Sequence, residues 1–156
     1  MSVLKKILGV FKIILVVLMI IFIVCFCSIV YQKKVMKVGM PNLFGYTGGA
    51  IVSGSMEPNI HVGDYVIVDV NGGYNKGDVV MFKRGNAYIA HRVMDIFDDY
   101  IITKGDNNET EDVEIPKDTV VGPVVKVIRG LGSFTMLLAK YKFLVLIIVV
   151  LVIILL

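Results

Sequence analysis

The segment Ser53-Gly54-Ser55-Met56-Glu57-Pro58 places two hydroxyls two residues apart, directly after the apolar pair Ile51-Val52. A hydroxyl nucleophile needs a fixed, exposed position with N–H groups nearby to receive the oxyanion. A strand ending in a Gly-containing turn supplies both, with Ser55 as candidate nucleophile and Ser53 as a candidate oxyanion donor. Read alone, the segment is first of all an ordinary Ser/Gly turn. A serine at neutral pH also needs a base, and the two histidines are His61 and His91. His61 lies in a turn before Gly63-Asp64, whereas His91 lies inside the run Tyr88-Ile89-Ala90-His91-Arg92-Val93. General bases work best on rigid supports, which favours His91, although a structural histidine on a strand face fits the same run. The third element is Lys104-Gly105-Asp106-Asn107-Asn108-Glu109-Thr110-Glu111-Asp112. Any of its acids could orient an imidazole and stabilise the imidazolium. Gly-Asp also occurs at 63–64 and 77–78, where a strand follows at once, as turn chemistry requires. At 105–106 a polar loop follows instead. As a calcium loop the stretch lacks the glycine expected at its sixth position and has no flanking helices.

These residues need a scaffold, and between 41 and 130 the pattern is β. Short β-branched runs at 50–53, 65–70, 78–83, 87–97, 100–103 and 120–128 alternate with Gly, Asp and Asn. Asn71-Gly72-Gly73, Arg84-Gly85-Asn86 and Asp98-Asp99 are suitable turns. No amphipathic helix of useful length interrupts them, so a small barrel or coiled β-sheet is expected. An open edge of such a sheet could receive a peptide as an added strand.

The rest of the chain is of another kind. Of its 156 residues 56% are hydrophobic, too many for an ordinary soluble domain. All 13 acidic residues lie between Glu57 and Asp118, while half of the 16 basic ones lie outside 41–130. Two basic, apolar ends therefore flank a centre with five net negative charges. That pattern excludes the clustered basic stripe of a nucleic-acid binder and suits ends placed near headgroups. Residues 7–30 are almost unbroken in Ile, Leu, Val, Met and Phe, with Lys12 the only charge. As a helix they reach about 36 Å, enough for a ~30 Å hydrocarbon core. A cleaved signal peptide would have a shorter apolar stretch ending in small residues, so an uncleaved signal anchor is the reading. Residues 143–156 alone would reach only about 21 Å. Extension back to Phe134 completes a crossing, with Lys140 and Lys142 at the interface. A buried hairpin partner for the first helix is the alternative. Lys5, Lys6 and Lys12 precede or enter the first helix and Lys33, Lys34 and Lys37 follow it, so the positive-inside rule leaves the orientation open. Cys25 and Cys27, two apart on that helix, point in different directions and cannot pair with each other.

The ordered set Ser53-Gly54-Ser55-Met56-Glu57-Pro58, Gly63-Asp64, Gly77-Asp78, His91-Arg92-Val93 and Lys104-Gly105-Asp106-Asn107-Asn108 resembles type I signal peptidase. The resemblance covers residues from about 50 to 123. The branch is that of the endoplasmic reticulum, archaea and some Gram-positive bacteria, with a histidine where the typical bacterial branch has lysine. It implies Ser55 as nucleophile and His91 as general base. It also implies an oxyanion hole from the Ser53 side chain and the Ser55 N–H. Two acids follow in that family, here Asp106 and Asp112, with Asp112 favoured as third catalytic residue and Asp106 as support. It further implies an extracytoplasmic catalytic domain, which settles the orientation; with the apolar runs this gives a cytoplasmic N-terminus at 1–6, the signal anchor at 7–30 and the β catalytic domain at 31–133. A C-terminal transmembrane helix at 134–156 would make the protein multi-pass in the cell membrane. Its partners would be signal-peptide-bearing pre-proteins cut after small residues at −3 and −1, the lipid bilayer and the secretion translocon. No nucleic acid, cofactor or metal is expected. Met40, Leu43, Phe44, Tyr46, Leu131, Phe134 and Met136, beside the two membrane segments, are expected to rest at the lipid surface, the alternative being a small internal core beneath the barrel. The rival class is a non-catalytic membrane-anchored β module acting as a binding subunit. A self-cleaving repressor-type protease shares the chemistry but needs no two membrane segments.

Overall fold

The computed structural model describes residues 2–36 and 39–141. The chain divides into two compact units, Met1–Phe44 and Gly45–Leu156.

The first unit is built on helix α1, Ser2–Lys34, longer at both ends than the apolar stretch 7–30. Within it, Gly9–Lys34 is long and apolar enough to cross a membrane. An unbroken apolar run in hydrocarbon can satisfy its N–H and C=O groups only within itself, which makes helix the available form. Lys33 and Lys34 in the last turn complement the helix dipole. Beyond it the chain is tied back by Gln32, whose Nε2 donates to the Asn42 carbonyl at 2.7 Å. Its Oε1 in turn accepts the Asn42 N–H at 2.9 Å.

The second unit is a seven-stranded sheet. Its strands are β1 (Tyr46–Ala50), β2 (Tyr65–Asp69), β3 (Val79–Arg84), β4 (Ala87–Ile96), β5 (Tyr100–Lys104), β6 (Ile115–Pro116) and β7 (Val120–Ile128). The order is β1-β2-β7-β3-β4-β5-β6, every pair being antiparallel. The expected β class is therefore observed. Register shifts at Ile67/Val68, Met81/Phe82 and Val93/Asp95 mark irregularities of the kind that bend and coil a sheet. At one of these, β7 passes so close to β2 that a Cβ on Gly122 would stand 2.0 Å from the Asp69 carbonyl oxygen. The core holds Val80, Phe82, Val93, Ile101 and Ile115, with Tyr74, Ile89 and Val120 packed against it. Burying Val, Ile and Phe side chains of this kind stabilises by roughly 1.5–3 kcal/mol each.

Two expectations about strands need correction. The strand expected at 50–53 is instead β1 at Tyr46–Ala50, and Ser53 lies in a bend beyond it. Ile51 and Val52 are good β formers, but pairing with β2 holds the weaker Thr47-Gly48-Gly49 segment in the sheet. Ile51 still exchanges backbone bonds of 2.8 Å with Asp64 and Gly63. The two-residue β6 was not expected at all. It is too short to have a period and exists through its pairing with β5.

Helix α2, Leu131–Lys140, follows β7 and starts three residues before the position expected for a C-terminal helix. The remainder of the expected transmembrane segment, residues 142–156, lies outside the described residues. The start of α2 is fastened to the β1–β2 connection. Gly130 N–H donates to Asp64 Oδ1 at 3.0 Å and Ser133 N–H donates to the Gly63 carbonyl at 2.9 Å. The His61 N–H bond holds the buried Asp64 carboxyl below its ordinary range; burial opposes this, while the Gly130 N–H and the Arg129 and His61 charges assist it. The Gly63-Asp64 turn expected from the sequence thus also seats a helix N-terminus.

Candidate active site

Ser55 sits in a run of tight turns pinned on both sides. Glu57 N–H donates to the Gly54 carbonyl at 3.1 Å, and the N–H groups of Asn59 and Ile60 return to Met56 at 3.0 and 2.9 Å. Met56 and Ile60 are buried, so the turn is anchored by its apolar side chains while Ser55 stays partly accessible. A second clamp comes from the 104–112 loop. Asn107 N–H donates to the Ser55 carbonyl at 2.8 Å, and Asn107 Nδ2 donates to the Gly54 carbonyl at 3.3 Å.

Gly105 makes this approach possible. A Cβ there would stand 2.6 Å from the Ser55 carbonyl oxygen and 2.8 Å from the Asn108 side chain. Gly105→Ala is therefore expected to push the Ser55 turn off its position. Displacements near 1 Å can reduce turnover by about 10²-fold. A drop of that order in kcat, with a far-UV circular dichroism spectrum like the wild type's, is the expected result.

His91 is held in β4 opposite Val80 of β3 and is 5% exposed. Its ring meets Phe82 edge-on, with centroids 6.1 Å apart. Nε2 lies 3.1 Å from Ser55 Oγ and Nδ1 lies 2.6 Å from Asp112 Oδ2. An ionised carboxylate only accepts, so Nδ1 carries the proton and Nε2 is left to accept from the serine hydroxyl. Asp112 Oδ2 also accepts from Thr103 Oγ1 at 2.7 Å, and Oδ1 accepts from Arg84 Nη1 at 3.2 Å. Burial pushes the Asp112 carboxyl up, but hydrogen bonds from His91 and Thr103 and the charges of His91 and Arg84 outweigh it. The carboxyl ends below its usual range. Asp112 is itself aligned on β5 by its N–H bond of 2.8 Å to the Thr103 carbonyl.

Asp106 has different partners. Its two oxygens take Arg92 Nε at 2.8 Å and Arg92 Nη2 at 2.6 Å in a bidentate pair, and Asn59 Nδ2 donates to Oδ2 at 2.7 Å. The Arg92 bonds are the main reason this carboxyl lies below its usual range; burial opposes them, and the Asn59 bond and the charges of Arg92 and His91 add to them. Arg92 Nη1 continues to the Gly77 carbonyl at 2.8 Å. Asp106 therefore ties the far end of the Ser55 turn, at Asn59, to β4 and to the 77–78 turn.

The structure brings together Ser55, His91 and Asp112, with Asp106 one step away. Ser53 Oγ lies 3.4 Å from Ser55 Oγ, at the weak end of hydrogen bonding. The other histidine is engaged elsewhere, with Nδ1 of His61 3.8 Å from Asp64 and 3.4 Å from Arg129. Sequence reasoning missed Thr103 and Arg84. Thr103 alternates with Ile102 on β5, so its inward face was legible from period two, but its partner was not.

Residues 46–125 match the family model described as Peptidase S24-like. Signal peptidase I W of Bacillus subtilis is similar to this chain at 41% identity over 83 residues, covering 47% of this chain and 43% of that protein. The signal peptidase complex catalytic subunit SEC11 of Colletotrichum graminicola is 34% identical over 111 residues, and that of Chaetomium globosum 30% over 111. Each of these two alignments covers 60% of this chain and 64% of the relative. The chain thus spans from under half to just under two thirds of the length of these relatives.

Proposed function

Since the chain belongs to the Peptidase S24-like family, we propose that it is a membrane-anchored signal peptidase, a serine endopeptidase that removes N-terminal signal peptides from secreted pre-proteins. The observation that carries this reading is the hydrogen-bonded line from Ser55 through His91 to Asp112. In the proposed reaction an extended segment of the pre-protein joins a sheet edge and presents a bond that follows small residues at −3 and −1. His91 Nε2 takes the proton of Ser55 Oγ as that oxygen attacks the scissile carbonyl. The oxyanion receives the Ser55 N–H and the Ser53 hydroxyl. His91 then passes its proton to the leaving amine, and an acyl-enzyme on Ser55 remains. Water, deprotonated by the same imidazole, releases the signal peptide and restores the serine. Asp112 keeps the ring in the correct tautomer and stabilises the imidazolium, while Asp106 acts as a support through Arg92 and Asn59.

The same proposal sets the β unit on the extracytoplasmic side, with α1 as signal anchor, a second crossing toward the C-terminus and the translocon as a neighbour. The rival reading, a non-catalytic binding module, is not favoured by relatives named as a signal peptidase and as catalytic subunits. The test is cleavage by the full chain reconstituted in liposomes. A pre-protein with alanines at −3 and −1 should be cut after the −1 residue, and large residues there should block the cut. Cleavage insensitive to those two positions would defeat the assignment.

The lipid contact is part of the proposal. Of the seven residues expected at the lipid surface, Phe44, Tyr46, Phe134 and Met136 are exposed, while Met40, Leu43 and Leu131 are half-buried. Phe134→Ser is expected to slow cleavage of a membrane-inserted pre-protein about 10-fold, on the scale of ~1.5–3 kcal/mol for a buried apolar side chain. A soluble peptide should be cut at the wild-type rate. Equal slowing of both substrates would count against the contact.

A further inference from the structure

Arg84 has no part in the mechanism above. It occupies the last position of β3, opposite Ala87 across the two-residue turn Gly85-Asn86, where a hairpin arginine ordinarily points to water. Here its guanidinium lies 5.5 Å from the centroid of the Phe82 ring, and its Nη1 reaches Asp112 Oδ1. Phe82 is fully buried and meets the His91 ring on its other contact. One aromatic side chain therefore supports both the cation and the imidazole. Positions 82 and 84 share a strand face by the period of two, which is how the sheet delivers both to the same place.

Resting on the reading of Ser55 as nucleophile and His91 as base, we infer that Arg84 is a positioning residue that fixes the Asp112 carboxylate against His91 and extends cleavage toward acidic pH. The geometry divides the carboxylate between its donors. Oδ2 takes His91 and Thr103, and Oδ1 takes Arg84, so the group is held at both oxygens and cannot rotate away from the ring. The charge acts in the same place. A carboxylate against an imidazole favours the imidazolium, which cannot serve as a base, and a cation behind that carboxylate offsets the effect.

Among the described residues, Asp112 and Asp106 interact directly with the charge of His91, with Arg84 and Arg92 behind them. Asp112 follows β5, Arg84 ends β3, Arg92 is the next residue on β4 and Asp106 lies in the 104–112 loop. Arg92 and Asp106 neutralise each other in their bidentate pair. The balance at Asp112 is therefore set by Arg84. Its side chain is 41% exposed, so water screens much of its field. In a largely aqueous dielectric, a unit charge one carboxylate away from a titrating group corresponds to roughly half a pH unit to one unit.

The test is the pH dependence of kcat/KM for peptide cleavage by the full chain in detergent micelles, whose acidic limb reports the free enzyme's base. Arg84→Gln and Arg84→Ala remove the charge, and Arg84→Lys keeps it. The first two should move the acidic limb up by about half a unit to one unit, while Arg84→Lys stays near the wild type. The difference between wild type and Arg84→Gln should shrink in 1 M salt, where the Debye length is about 3 Å. A purely structural role would lower the plateau rate and leave the limb where it is. Coincident limbs for wild type and Arg84→Gln, or equal shifts for Arg84→Lys and Arg84→Gln, overturn the inference. If Ser55→Ala and His91→Ala cleave like wild type, the catalytic reading itself fails. If both are inactive and Arg84→Gln keeps the wild-type limb, only the role of Arg84 fails.

Discussion

Ser55→Ala is expected to reduce pre-protein cleavage by about 10⁴–10⁶-fold, and His91→Ala by a similar factor. The reason is that the two act as one unit. Without the hydroxyl there is no acyl-enzyme, and without the imidazole the hydroxyl 3.1 Å away has no acceptor for its proton. For the same reason the double variant should be no slower than either single one. Ser53→Ala supplies the contrast. Its hydroxyl contributes one donor of the proposed oxyanion hole, so its loss should leave measurable turnover, about 10²–10³-fold below wild type. A serine-directed acylating probe should label the wild type and Ser53→Ala and fail to label Ser55→Ala. Wild-type turnover in Ser55→Ala would end the serine-protease reading.

The second large effect is expected at Asp112. In Asp112→Asn, Arg84 keeps its acceptor when the amide oxygen stays at the position of Oδ1. In that orientation the amide nitrogen takes the place of Oδ2, facing His91 Nδ1. Thr103 can accommodate it by accepting in place of donating. The ring cannot, because Nδ1 must now accept, the proton moves to Nε2, and the base is lost toward Ser55. A drop of about 10⁴-fold at neutral pH follows, with the fold retained. Stability gives a separate check. The folded-state Asp112 carboxyl lies below its unfolded value near 3.9. Its ionised form thus stabilises the protein above that pH, and the contribution fades as pH falls through the folded-state value. The difference in stability between wild type and Asp112→Asn should accordingly narrow in acid. Asp106→Asn should act through position, with a smaller loss of kcat and a lowered Tm, because its partners are Arg92 and Asn59. If Asp106→Asn proved as inactive as Asp112→Asn, the division between the two acids drawn from the geometry would be wrong.

Much of the β unit was legible from the chain alone. The β-branched runs at 65–70, 87–97 and 120–128, and the turns at Gly85-Asn86 and Asp98-Asp99, reappear as β2, β4, β7 and two hairpins. These depend on local patterning, which a window of ten residues contains. The start of β1 and the whole of β6 were not legible, because the Gly-rich β1 and the two-residue β6 carry no strand pattern of their own and are held by pairing with β2 and β5. The order β1-β2-β7-β3-β4-β5-β6 was hidden as well. In it β7 is inserted between β2 and β3, a placement that no property of residues 120–128 announces.

By itself the sequence determined the chemical types: a serine in a Gly-containing turn, one histidine on a strand, two acids in a polar loop and a long apolar helix before them. Those are properties of residue type and short spacing. The tertiary structure decided which groups meet. Asp106 and Asp112 are six residues apart in one loop, and only the closing of β5 against β4 sends the second to His91 and the first to Arg92. The bond of Arg84 to Asp112 likewise spans 28 residues. Side-chain contacts over such separations depend on strand register and on the direction each Cβ takes from the sheet, and both are set only once the strands have paired.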